Sequence, residues 1–421
     1  MSVTAYLCRS ALAVTGATAL LAGCTFADTT DHDTAVTVMA SNTDKAAMTS
    51  VIAAFQRHNP DIRIKVSFAD INTLQKAIPH KLRTDKAPDI FTVWPGSGNP
   101  ASVATLERDN LLEELNLRPF SRTVPQGVKP VTDVLGITYV VPMSFSAIGA
   151  IYSQQTLDKI GGSAPTTWSE LLHLCDTAEQ HGKVLFALGN ATPWVTQLVT
   201  YALVATTVYS DQPDFDEQMA LGKQTFAESG WRTALEKYLQ MNDRGCFSRQ
   251  PLDTTYEDAV EQVAEGRAVG MVQVASTLSV LQATAPNLHL RMDALPATDD
   301  PEQTRMPGAV SAAYGLNTNT PHREAAMKFI DFLGSVEGQN LYNRTGATIP
   351  ALPNDSFDVS RVVKEVAERQ KAATTVPFMD QRWPNSGVQQ THFEQIEKLF
   401  AKKANIDEAL KALDLSYQEE N

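Results

Sequence analysis

From Val36 onward, apolar residues recur with two different periods, and the two take turns along the chain. Val36-Thr37-Val38-Met39 predicts a short strand. Asp44 then starts a helix with Ala47, Met48, Val51, Ile52 and Phe55 on one face. Ile62, Ile64, Val66 and Phe68 alternate as a second strand, and Leu74, Ile78 and Leu82 mark a second helix. A third strand, 88–94, is ended by Pro95-Gly96. Strand-helix-strand-helix-strand implies a parallel sheet covered on both faces.

The pattern continues past Val141-Pro142 with an apolar stretch from Ala147 to Tyr152. Thr167 with Glu170 reads as a capping box, and Val184 to Leu188 as a strand. Val195–Tyr209 and Trp231–Met241 read as helices. Ala259, Val260, Val263 and Ala264 line a helix stopped at Gly266, and a strand follows from Val269 to Val274. Val310 to Leu316 is a further strand. Pro321 opens a helix with Ala325, Ala326, Phe329, Ile330 and Leu333 on its apolar face. Asn405 and Glu408 cap a last helix over 407–415.

The N-terminus has another pattern. Arg9 precedes an apolar run from Ala11 to Leu21, which has the length of a secretory signal and is too short to span a bilayer. It ends in Leu21-Ala22-Gly23-Cys24, which resembles the bacterial lipobox. That resemblance implies a signal peptide over 1–23, lipid on Cys24, and a mature protein held outside the cytoplasmic membrane by its first residue. Residues 25–34, rich in Asp and Thr, read as a flexible tether. No later apolar run approaches the length of a span, so the lipid is the expected attachment to the membrane.

Composition narrows the class. About 400 residues after Cys24 are too many for one core and suit two domains. The formal net charge of −13 argues against nucleic acid and anionic membrane surfaces as partners. With Cys24 taken by lipid, Cys175 and Cys246 either pair in an oxidising compartment or lie as two separate buried thiols, and both readings stand. No Cys/His spacing calls for a metal, and no motif calls for a cofactor.

Six segments, in order, resemble the extracytoplasmic solute-binding proteins of ABC importers, the family that includes maltose-binding protein. They are Phe55 to Ile62, Ala87-Pro88-Asp89-Ile90, Gly136 to Tyr152, Pro165-Thr166-Thr167-Trp168-Ser169-Glu170-Leu171, Ala264 to Met271, and Glu324 to Ala351. The resemblance implies an α/β, two-lobe, periplasmic-binding-protein-like fold with a hinged cleft. Lobe 1 is expected over 35–141 plus 310–334, and lobe 2 over 142–307 plus 335–421. Crossings fall near Pro142, Pro307-Gly308 and Ser335. A carbohydrate ligand, an ABC permease as partner, a monomer and no catalysis are implied with it.

Sugars present apolar faces and paired hydroxyls, so a site needs flat rings and bidentate polar groups. Trp94 ends the third strand beside Pro95-Gly96-Ser97-Gly98, where the family has a stacking Trp, and Ser97 belongs to the same loop. Asn42, Asp44 and Lys45 follow the first strand, where the family has hydroxyl-binding groups; helix capping explains them equally well. Phe145, Ser146 and Gly308 lie at the crossings. Trp194 falls where the family has a lobe 2 platform, with core packing as the competing role. Trp383 sits in the polar loop 380–385, a region that supplies an aromatic in the family. Trp168 and Trp231 read as structural.

Ser146 and Thr192 stand where maltose-binding relatives carry acids, which points away from maltodextrin. In a second departure, many relatives have a Trp near Ser276-Thr277 and this chain does not. A non-sugar solute (polyamine, glycerol phosphate or peptide) and a surface glycosidase remain the alternatives. No Gly-x-Ser-x-Gly, His-Glu-x-x-His or Walker motif supports an enzyme.

Overall fold

The computed structural model describes residues 35–419. The expected signal peptide, Cys24 and the expected tether lie outside the described residues. Twelve strands are described: β1 (Ala35–Ser41), β2 (Arg63–Ala69), β3 (Ile90–Val93), β4 (Asp133–Val134), β5 (Ile137–Thr138), β6 (Val140–Ser153), β7 (Val184–Phe186), β8 (Ala268–Val274), β9 (Leu290–Asp293), β10 (Met306–Leu316), β11 (Ile349–Pro350) and β12 (Thr375–Val376). β4 and β5 form a separate hairpin. The others order as β2-β1-β3-β10-β6-β8-β7, with β9 and β11 on β6 and β12 on β10.

The expected parallel unit is present: β1 pairs in parallel with both β2 and β3. The helix Lys45–His58 buries Ala47, Met48, Val51, Ile52 and Phe55, the face its periodicity marks. The Thr167/Glu170 capping box forms, and so does the Asn405/Glu408 box. The helix ahead of Gly266 ends at Ala264, and Gly266 takes a left-handed φ of 71° to close it.

β6 and β10 are longer than their apolar runs. They are antiparallel partners and carry the chain from one half of the sheet to the other. The last residues of β10 pair with β3, whereas the second half of β6 pairs with β8 and β9. Pairing between β6 and β10 is irregular around Ser311, where the register shifts between Val310, Ala312 and Ala313. Cores lie on either side of this crossing. Val36, Phe55, Val141, Tyr314 and Phe329 belong to one, and Ile148, Leu185, Leu203, Trp231 and Val269 to the other. Tyr342 and Leu352, beyond Ser335, join the first of these.

Cys175 and Cys246 form a disulfide, with Cα atoms 4.9 Å apart. It ties the helix Trp168–Gln180 to the chain just after the helix Trp231–Asp243. The helix Thr196–Thr207 is buried over nearly its whole length, and it carries Thr196, Gln197, Thr200 and Thr206 into the interior along with its apolar residues.

Candidate functional site

A cavity of about 90 Å³ lies beside the crossing strands. Three strand ends reach it. Ser41 ends β1 and Thr43 and Asp44 follow it, Trp94 and Pro95 follow β3, and Val274 ends β8 with Ser276 just beyond. Sheet ends are where α/β proteins hold ligands, because the loops there are free to carry specific groups. Ser311 and Ala312 enter at the irregular stretch of β10, where the register with β6 shifts. The remaining wall comes from Trp194, Gln197 and Tyr201 at the start of the buried helix, and from Phe378, Asp380, Gln381 and Gln389 near the C-terminus. Outside this chamber a mouth of about 300 Å³ is lined by Asn42, Asp70, Asn72, Thr192, Trp194, Tyr256 and Glu257.

The structure brings Asp44, Trp94 and Trp194 to the chamber and Asn42 to its mouth. Trp94 is half-buried. Its N–H donates to the Ala101 carbonyl at 3.0 Å, and its own carbonyl accepts from the Val103 N–H at 2.9 Å. Trp194 serves both roles considered for it. It is 4% exposed, packs 5.2 Å from the Tyr256 ring, and still lines the chamber.

The other expected residues lie elsewhere. Trp383 is 2% exposed, inside a cage of Tyr201, Phe226, Trp231 and His392 rings. A large ring among that many apolar neighbours gains more from burial than the cavity offers. Ser97 points its hydroxyl at the Trp383 carbonyl, 2.5 Å away. Lys45 is exposed, with Nζ 5.9 Å from the Phe68 ring centre. Phe145 and Ser146 sit mid-strand in β6, away from the chamber lining, with Ser146 fully enclosed. Gly308 makes room for neighbours: a Cβ there would lie 3.0 Å from the Phe145 ring.

The glycines beside Trp94 also have a different purpose from exposing it. A Cβ on Gly96 would lie 2.1 Å from the Gln381 carbonyl oxygen. The loop after β3 is therefore glycine-rich so that the turn Met379–Arg382 can dock on it.

That turn carries chamber-lining polar groups that sequence reasoning missed. Burial pushes the Asp380 carboxyl up to about 7, and Tyr201 beside it pulls the other way. Gln389 Nε2 donates to Asp380 Oδ2 at 3.1 Å and to Gln197 Oε1 at 3.3 Å. Gln381 Nε2 donates to the Val310 carbonyl at 2.7 Å. Asp44 is likewise raised to about 6 by burial, against the neighbouring hydroxyls of Tyr342 and Thr43. The one signal for Asp380 and Gln381 was the polar loop that also holds Trp383, three residues away.

Acceptor carboxylates, amides and aromatic rings around one chamber suit a small polar solute held by hydrogen bonds and ring faces. Among the described residues no cluster of three or more His, Cys, Asp or Glu side chains is placed to hold a metal ion.

Comparison with known proteins agrees with this architecture. The family profile described as bacterial extracellular solute-binding protein matches residues 40–340. A curated relative, an uncharacterized ABC transporter extracellular-binding protein of Pyrococcus horikoshii, is 23% identical over 330 residues, covering 75% of this chain and 71% of that protein. Among solved structures, one from work on xylan utilization by Caldanaerobius polysaccharolyticus superposes with a TM-score of 0.76 at 20% identity, covering 90% of this chain and 99% of that one. RafE in complex with raffinose superposes with a TM-score of 0.73 at 16% identity, covering 91% and 98%. The fold is thus the two-lobe periplasmic-binding-protein-like α/β fold, and the chain belongs to the bacterial extracellular solute-binding protein family.

Proposed function

We propose that this protein captures a carbohydrate outside the cell and delivers it to the permease of an ABC transporter, without turning it over. The observation that carries this reading is one chamber lined by Trp94 after β3, Trp194 ahead of the buried helix, and Asp44, Asp380 and Gln381. Rings supply stacking faces, and the carboxylates and amide accept hydroxyl protons. The relatives support it, one by its name as an ABC transporter binding protein and one by its complex with raffinose.

In this reading the lobes are residues 35–141 with 310–334, and 142–307 with the C-terminal part. The segment through Leu352 rests on the first lobe, since Tyr342 and Leu352 pack in its core. Bending at β6 and β10 opens the chamber, which at about 90 Å³ is smaller than the roughly 300 Å³ where ligand pockets begin. Lipid on Cys24 tethers the protein, which acts as a monomer. A glycan panel titrated by calorimetry tests the carbohydrate reading, with product analysis after long incubation testing for turnover. Tight binding of one sugar with no cleavage is expected; a panel with no binder, or cleavage of the bound sugar, would overturn it.

A further inference from the structure

The chamber holds two carboxyl groups and one amide oxygen that no protein donor reaches. Gln381 is 6% exposed, and its Nε2 is committed to the Val310 carbonyl. A carbonyl accepts only from the N–H end of an amide, so Oε1 is the end left over, and it has no partner in the protein. Asp380, the preceding residue, is 8% exposed and receives the Gln389 amide on Oδ2. Asp44 receives a long hydrogen bond from Thr43 Oγ1, 3.4 Å, on Oδ1. Among the described residues lining the chamber there is no Lys, Arg or His.

Two carboxyl groups on one chamber, Asp380 buried and Asp44 partly buried, are costly to keep ionised with no counter-charge. Their raised pKa values, about 6 for Asp44 and about 7 for Asp380, have burial as their leading cause. A buried amide oxygen with no donor adds a further penalty. Hydroxyls can donate to all three oxygens, but a ligand that also brings positive charge offsets the cost of the buried carboxylates as well. A hydroxyl brings one donor and no charge. A carboxylate or phosphate would add a third anion. The Trp94 and Trp194 faces favour a cation further, and the net charge of −13 draws cations toward the protein.

We propose that the solute carries a protonated amine, received by Asp380 and the Gln381 amide oxygen with Asp44 on the same chamber, so that the transported carbohydrate is an amino sugar. This inference rests on the reading of the chamber as the solute site. The same ammonium chemistry is found in a polyamine, which has no ring to stack.

The test is calorimetry near neutral pH on matched pairs: D-glucosamine against D-glucose, D-galactosamine against D-galactose, and the chitosan disaccharide against cellobiose. Spermidine serves as the cation without a sugar. In at least one pair the amine should bind about tenfold more tightly or better. Asp380→Asn should reduce that preference to about threefold or less, with its melting temperature showing that the fold is kept. Gln381→Glu, which adds a carboxylate at the same place, should enlarge it. Neutral sugars that bind as well as their amines would overturn the amine and leave the carbohydrate reading standing. Spermidine binding with no sugar bound would keep the ammonium site and overturn the carbohydrate. Failure of every probe to bind would overturn both.

Discussion

Gly98 and Asp380 meet backbone to backbone: a Cβ on Gly98 would lie 1.8 Å from the Asp380 carbonyl oxygen. The loop after β3 thereby holds the turn that carries Asp380 and Gln381, and Ser97 reinforces it with its N–H on the Gln381 carbonyl. Gly98→Ala must push that turn away. Overpacking of this kind costs about 1–3 kcal/mol. Both melting temperature and solute affinity should fall, because the displaced turn belongs to the chamber wall. A variant that binds normally would show that Asp380 and Gln381 act independently of the loop.

The two tryptophans of the chamber should behave differently. Trp94→Ala removes a half-buried ring, so affinity should drop by about 1–3 kcal/mol with a modest change in melting temperature. Trp194→Ala removes a ring packed on Tyr256 within a core, so it should cost about 3–5 kcal/mol of stability and weaken binding as well. Urea unfolding and calorimetry on each variant measure the two effects separately.

The disulfide spans 71 residues, so it withdraws considerable freedom from the unfolded chain. Replacing Cys175 and Cys246 together by Ala should destabilise the protein by about 2–4 kcal/mol. Treating the native protein with reductant should lower its melting temperature similarly, and the double variant should not respond to reductant at all.

His392 gives a pH signature. It is fully enclosed by Tyr201, Trp231 and Trp383, neither ring nitrogen has a partner, and burial pushes its pKa down to about 3. Unfolded, it titrates near its ordinary value of about 6.5. Above that pH both states are neutral and burial of the charge costs nothing. As pH falls from about 6.5 toward 3 the unfolded chain gains a proton that the folded one refuses, so this group lowers stability in that window. Asp44 and Asp380 act with the opposite sign: raised above the unfolded carboxylate, they take up protons first in the folded state and favour it on acidification. Comparison with His392→Phe isolates the histidine. Relative to the native protein, the variant should gain about 2 kcal/mol between pH 7 and pH 5 in urea unfolding. An unchanged difference would mean that the ring is already charged or solvated.

The sequence alone determined what depends on neighbours a few residues apart. Periods of two and of three to four set β1, β2, β3 and the apolar faces of their helices, since each face needs only a core to turn toward. Capping boxes at Thr167 and Asn405 were legible because both partners lie within one turn. Trp94 and Asp44 could be placed at the chamber because strand ends in an α/β sheet point to the cleft. The tertiary structure decided everything that relies on distant segments meeting. Whether Cys175 and Cys246 pair is a matter of where two helices lie. Asp380 and Trp383 share one polar loop, and pattern could not say which lines the chamber. The aromatic cage of Tyr201, Phe226, Trp231 and His392 settles it by burying the tryptophan, and the carboxylate three residues earlier is left at the chamber wall. Gln197, Gln389 and Ser311 carry no local mark either, because a buried amide or hydroxyl becomes a binding group only through what folds against it.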